Sequence, residues 1–121
     1  MIRVLATREG LTGKLTAIGW PIHNAVPFIA LPSTKALRRA VRVRNPANGH
    51  IVEALVLDVG PWNIHDDLYV FGGARPQAET GYDTFGRPTN TAGIDLGEYV
   101  WHALKMTTNG PVEWEFLTHG Q

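Results

Sequence analysis

Two strand-patterned runs, residues 41 to 45 and 50 to 58, are joined by Pro46-Ala47-Asn48-Gly49, and no other feature limits the fold as much. The Asn-Gly pair favours positive φ and closes a hairpin. The second run places Val52, Ala54, Val56 and Asp58 on one face, because successive side chains of a strand point to opposite sides of a sheet. Asp58 thus ends an apolar row, just before a Gly60-Pro61-Trp62 turn. A carboxylate at such a rim loses hydration, which raises its pKa and lets it hold a proton for acid catalysis. An Asp in this position can equally accept hydrogen bonds from backbone N–H groups of the turn.

The remaining chain reads as mainly β. Residues 11 to 19 and 26 to 31 are strand-like runs between Gly and Pro punctuation. Pro32 stops the second of them, and Ser33 is placed to cap a short turn through Lys35 to Arg39. Residues 60 to 92 are rich in Gly, Pro, Asn and Asp and form a long loop, whose aromatic residues argue for order and a lid or binding role. Asp95 is placed to cap a helix over Leu96 to Lys105, and the last strand is Val112 to Leu117.

Composition narrows the function classes. A chain of 121 residues has room for one domain, spanning 1 to 121 with its core at about 11 to 117. Eleven basic and eleven acidic side chains leave no net charge, so neither nucleic acid nor an anionic membrane is an expected partner. Arg38, Arg39, Arg42 and Arg44 form a local basic cluster, read as a solvated strand face, with contact to an anionic polymer as the other reading. The absence of cysteine excludes disulfides and thiolate metal sites. His65-Asp66-Asp67 is the one tight group of possible ligands, and adjacent loop residues rarely supply a metal's geometry, so no metal and no cofactor is expected. No charged and then apolar leader opens the sequence. If the chain acts on cell wall, it is expected at the envelope, secreted or phage-associated, as a monomer.

The segments VRVRNPANGHIVEALVLDVGPW, AGIDLGEYVWHALKM and NGPVEWEFL together resemble, in order, the pattern of the rare lipoprotein A group. That group is related to membrane-bound lytic transglycosylase A, expansins, barwin and family 45 endoglucanases. The resemblance covers about residues 11 to 117 and implies a six-stranded double-psi β-barrel with one or two short helices. It implies that Asp58 corresponds to the catalytic carboxylate of the lytic transglycosylases, and that Asp95, in Gly93-Ile94-Asp95-Leu96, meets it at one groove. The Gly-Glu pair that the group carries between its first two strands has no evident counterpart where Gly19 runs through Trp20-Pro21-Ile22-His23. Asp58 would then act as acid and base in turn.

The function implied is cleavage of a cell-wall glycan. A peptidoglycan lytic transglycosylase would cut between N-acetylmuramic acid and N-acetylglucosamine, protonating the leaving oxygen and assisting attack of the muramyl 6-hydroxyl. The alternatives are an expansin-like polysaccharide-binding module without turnover, a β-1,4-glycan hydrolase, or a structural or inhibitory use of the same scaffold. Trp62 and Trp20 lie beside Pro in expected loops, where an exposed ring can stack on a sugar. His23, Tyr82 and Asn90 complete the candidate substrate contacts, while Trp101 and Trp114 read as core and His102 as helix surface.

Overall fold

In the computed structural model, which describes residues 1–9, 16–17, 19 and 26–117, six strands close into one barrel. The strands are β1 (Ile2–Glu9), β2 (Phe28–Leu31), β3 (Ala40–Arg44), β4 (Ile51–Val59), β5 (Ile94–Gly97) and β6 (Gly110–Phe116). Their order around the barrel is β1-β5-β2-β4-β3-β6, with β6 returning to β1. Two pairs are parallel, β1 with β5 and β2 with β4, and the other neighbours are antiparallel. The architecture is the double-psi β-barrel expected from the sequence. Closure leaves no unpaired sheet edge, so each strand finds backbone partners on both sides.

Alternation decides which side chains fill the barrel. Val4, Ala6, Ile29, Leu31, Val41, Val43, Val56, Ile94, Leu96, Val112 and Trp114 are buried together in one core. Each fully buried aliphatic side chain contributes roughly 1.5–3 kcal/mol. The hairpin of β3 and β4 pairs Arg44 with Ile51, and Gly49 takes the positive φ of 78° that the turn needs. Ser33 caps a short 3-10 turn at Thr34–Ala36, its hydroxyl accepting from the Lys35 N–H at 3.2 Å.

Three readings change. The first strand is Ile2–Glu9, ahead of the run expected at 11 to 19, most of which lies outside the described residues. Its alternation of buried Val4 and Ala6 with less buried neighbours is present in the sequence. Asp95 does not cap a helix: it lies in β5, and α2 (Glu98–Ala103) starts after Gly97. Leu96 belongs to the barrel core, so the ladder outcompetes the helical spacing of 96 to 105. The third change concerns Asp58. The register passes from Ile29↔Val56 to Ala30↔Asp58, leaving Leu57 without a partner. Such a bulge turns Asp58 away from the face of Val56 and onto that of Ala30.

The stretch 60 to 92 is ordered as a set of tight turns containing α1 (Asp67–Val70) and a 3-10 turn at Gln77–Thr80. Tyr69 anchors it: its hydroxyl donates to Gly93 O at 2.8 Å and accepts from the Trp114 indole at 2.8 Å. At the end of β5, a methyl on Gly97 would lie 2.5 Å from Cε1 of Phe28, so the ring packs where no side chain can stand.

Candidate functional site

Strand register assembles the site. Thr7 pairs with Asp95, Asp95 with Ala30, and Ala30 with Asp58, which makes one row across β1, β5, β2 and β4. Partners across a ladder share a face, so Thr7 and the two aspartates point the same way, outside the barrel core. Neighbouring strands lie about 4.8 Å apart, which separates the Cα atoms of Asp58 and Asp95 by roughly 10 Å. Buried Ala30 lies between them in the row. The small side chain leaves the space above the row for the two carboxyl groups.

Glu9, two residues beyond Thr7 on the same strand face, is the third acid. Its carboxyl lies against that of Asp58, and its pKa is pushed up to about 9. Burial is the main cause, followed by the hydrogen bond to Asp58 and the negative charges of Asp58 and Asp95. Oε2 of Glu9 is buried without a hydrogen-bond partner among the described residues. Asp95 is raised to about 6 by burial, with the Asp58 charge adding to the rise and a hydrogen bond from the Thr7 hydroxyl opposing it. Asp58 Oδ1 accepts the N–H groups of Ala17 and Val59, each at 2.9 Å. Asp58 thus accepts backbone hydrogen bonds from the next residue of its own strand and from a segment distant in sequence, while its carboxyl also touches that of Glu9.

The turn that follows β4 borders this cluster. Gly60 and Pro61 are joined by a cis peptide, and a methyl on Gly60 would stand 3.8 Å from Oδ2 of Asp95. Trp62 adopts a left-handed φ of 71° and is 39% exposed. Its indole N–H donates to Asn90 Oδ1 at 2.8 Å, and the same oxygen accepts from Ala92 N at 3.1 Å. Thr91, next to Asn90, is also left-handed, with φ of 69°. Non-glycine residues held there cost about 1–3 kcal/mol each and cluster at binding sites.

Of the residues singled out from sequence, Asp58 and Asp95 meet at one site, and Trp62 and Asn90 meet beside it. Tyr82 is exposed and lies on a separate small turn, bridged to Pro88. His23 and Trp20 lie outside the described residues. Glu9 was missed: a second acid was sought between the first two strands, whereas it ends a strand that had not been recognised.

The other polar clusters are accounted for by internal partners. Asp66 Oδ2 accepts from Gln77 N at 2.8 Å, and Asp67 pairs with Ser33 and Lys35. Among the described residues no group of three or more His, Cys, Asp or Glu is arranged to hold a metal ion. Arg42 pairs with Glu115 and Glu53, and Arg44 with Glu113, in a charge ladder across β3, β4 and β6. Trp101 and Trp114 are buried, and His102 is exposed beside Glu98.

A family described as "Domain of unknown function (DUF8814)" matches residues 1–115. No curated protein matches the chain in sequence. Among solved structures it is similar to "Streptomyces papain inhibitor (SPI)", with a TM-score of 0.51 and 14% identity over 93% of this chain and 92% of that one. At that identity the likeness is one of fold.

Proposed function

We propose that this chain, which belongs to the DUF8814 family, cleaves a cell-wall glycan as a peptidoglycan lytic transglycosylase. The observation that carries the reading is the grouping of the Glu9, Asp58 and Asp95 carboxyls on one face of adjoining strands, where burial and the neighbouring acids push Glu9 up to about 9. A glycosidase needs one carboxyl that still holds its proton beside another that does not, and environments that push two such groups apart assign their roles. The resemblance to the rare lipoprotein A group supports the choice of substrate, since it runs through the segments that carry Asp58 and Asp95.

In this mechanism Glu9 gives its proton to the 4-oxygen of N-acetylglucosamine as the bond from that oxygen to muramyl C1 breaks. Asp58 accepts the proton of the muramyl 6-hydroxyl, whose oxygen closes on C1 to give an internal anhydro sugar. Asp95, across Ala30, supplies negative charge to the cation-like transition state. Trp62, with its indole edge tied to Asn90, offers a ring face to a neighbouring sugar. Two acids replace the single acid and base expected from sequence.

The test is digestion of purified peptidoglycan by wild type, Glu9→Gln and Asp58→Asn, with products read by mass spectrometry. Anhydro-muramyl ends from wild type and not from either variant are expected. General acid catalysis contributes about 10²–10⁴-fold, so the loss in Glu9→Gln is of that order. Reducing ends would make the protein a hydrolase. Sedimentation with the wall but no soluble product would make it a binding module.

A further inference from the structure

The excursion between β4 and β5 leaves several large apolar side chains in water: Trp62, Ile64, Leu68, Phe71, Tyr82 and Phe85 are all exposed. Phe85 is the extreme case at 78%. It stands at the apex of a turn that is rigidly built. The carboxylate of buried Asp83 accepts from Phe85 N and Arg87 N, each at 2.9 Å, and from Arg87 Nε at 2.7 Å. Asp83 N donates to Arg87 O at 2.8 Å, and Tyr82 bridges to Pro88. A buried aspartate thus fixes a turn whose aromatic residue points at solvent. Such pre-ordering lowers the entropy lost when a ring meets a partner.

Two contacts define what the tip can take. The Arg87 guanidinium lies over the Phe85 ring at 5.2 Å, covering one face, and only its Nε is engaged by Asp83. Its terminal nitrogens have no acceptor among the described residues, and the side chain is 67% exposed. The other ring face is open, and the free terminal nitrogens of the guanidinium form a fork of donors suited to a carboxylate. The tip is also tied to the turn that carries Trp62: Thr84 N donates to Asn63 Oδ1 at 3.0 Å, and Asn63 follows Trp62.

We propose that the Phe85 and Arg87 tip is a further substrate contact, an aromatic platform with a guanidinium rim. It takes a sugar whose substituent carries a carboxylate and so favours an acidic glycan over a neutral one of similar linkage. The inference rests on the glycan-cleaving reading above and adds to it the selection of a charged polymer.

Co-sedimentation of wild type, Phe85→Ala and Phe85→Trp with peptidoglycan and with chitin, at low and high salt, tests it without requiring chemistry. Phe85 contributes little to the core, so its replacement leaves the fold in place. Phe85→Ala is expected to bind peptidoglycan about three- to tenfold more weakly, the range of one aromatic contact. Phe85→Trp should match wild type, and salt should weaken the binding. Chitin should bind less well. Equal binding of peptidoglycan by Phe85→Ala and wild type, or equal binding of chitin and peptidoglycan by wild type, would overturn the proposal. Product analysis of the same samples separates the two readings. Cleavage without dependence on Phe85 sinks the tip alone, tip-dependent binding without cleavage sinks the enzyme alone, and no binding by wild type sinks both.

Discussion

Asp58 and Asp95 flank Ala30 on the two strands that border β2, so a single methyl group separates the two carboxylates along the row. Enlarging Ala30 intrudes on both acids at once. Ala30→Leu is expected to cost about 1–3 kcal/mol from overpacking. Its loss of turnover should exceed what the unfolded fraction explains. Thermal melts beside peptidoglycan digestion check this, and turnover that simply tracks stability would argue against the row as the reacting site.

Glu9 makes stability fall as pH rises. Its folded pKa of about 9 lies above the ordinary value of 4.5, so between these values the native state binds more protons than the unfolded chain. Linkage then gives a negative slope, at most about 1.4 kcal/mol per pH unit for one proton. The full stabilisation is present below pH 4.5 and is lost as pH climbs towards 9. Glu9→Gln should flatten the profile, as denaturant melts between these limits would show. A profile of unchanged slope would mean that Glu9 is not held protonated.

Thr7 holds Asp95 down. Among the described residues, its hydroxyl is the contact that opposes the rise of Asp95 to about 6. Thr7→Val removes the donor with little change of shape, so the Asp95 titration should move upward. Carboxyl NMR shifts followed against pH would detect the change. In the wild type, activity should require ionised Asp95 and protonated Glu9, giving a bell-shaped profile with limbs near 6 and 9.

Gly97 tests the packing that supports the site. A methyl there would meet the Phe28 ring at 2.5 Å, and the paired residue in β1 is Glu9. Gly97→Ala is expected to cost about 1–3 kcal/mol. Phe28→Leu in the same chain should return part of it. A double-mutant cycle by chemical denaturation measures that coupling, and additive losses would show that the ring is not the obstacle.

Trp62 and Asn90 should behave as one unit. Trp62→Phe leaves a ring but no N–H donor, and the lost bond is worth about 0.5–1.5 kcal/mol. The Asn90→Ala variant loses the same bond from the other side. Their combination should cost less than the sum in denaturant melts, and the loop between them should exchange its amide hydrogens faster in all three variants.

How much of this was legible in the sequence follows from which signals are local. The hairpin of β3 and β4 was readable because alternation and an Asn-Gly turn sit within twenty residues of each other. The partnership of Asp58 and Asp95 came from resemblance alone, since nothing in spacing says that β4 and β5 lie either side of β2. Glu9 escaped because β1 has no turn signal before it. Its strand character depends on pairing with β5 and β6, which are supplied by distant sequence. Asp95 was misread as a helix cap for a related reason: the spacing of 96 to 104 fits a helix, and only the ladder to β1 and β2 holds Leu96 in a strand. The bulge at Leu57 has no local mark at all, so strict alternation put Asp58 on the wrong face.

The ladder that carries Glu9 is also the one that closes the barrel, for β1 is bonded to β5 along one side and to β6 along the other. Before that strand docks, Glu9 is an ordinary solvated acid with nothing to hold its proton. On the proposed reading, the competent state of the site is therefore created by the long-range step of folding, one that joins residues distant in sequence and is slow for that reason. A collapsed intermediate with the β3 and β4 hairpin in place would be chemically silent, and during refolding the appearance of activity would time the docking of β1.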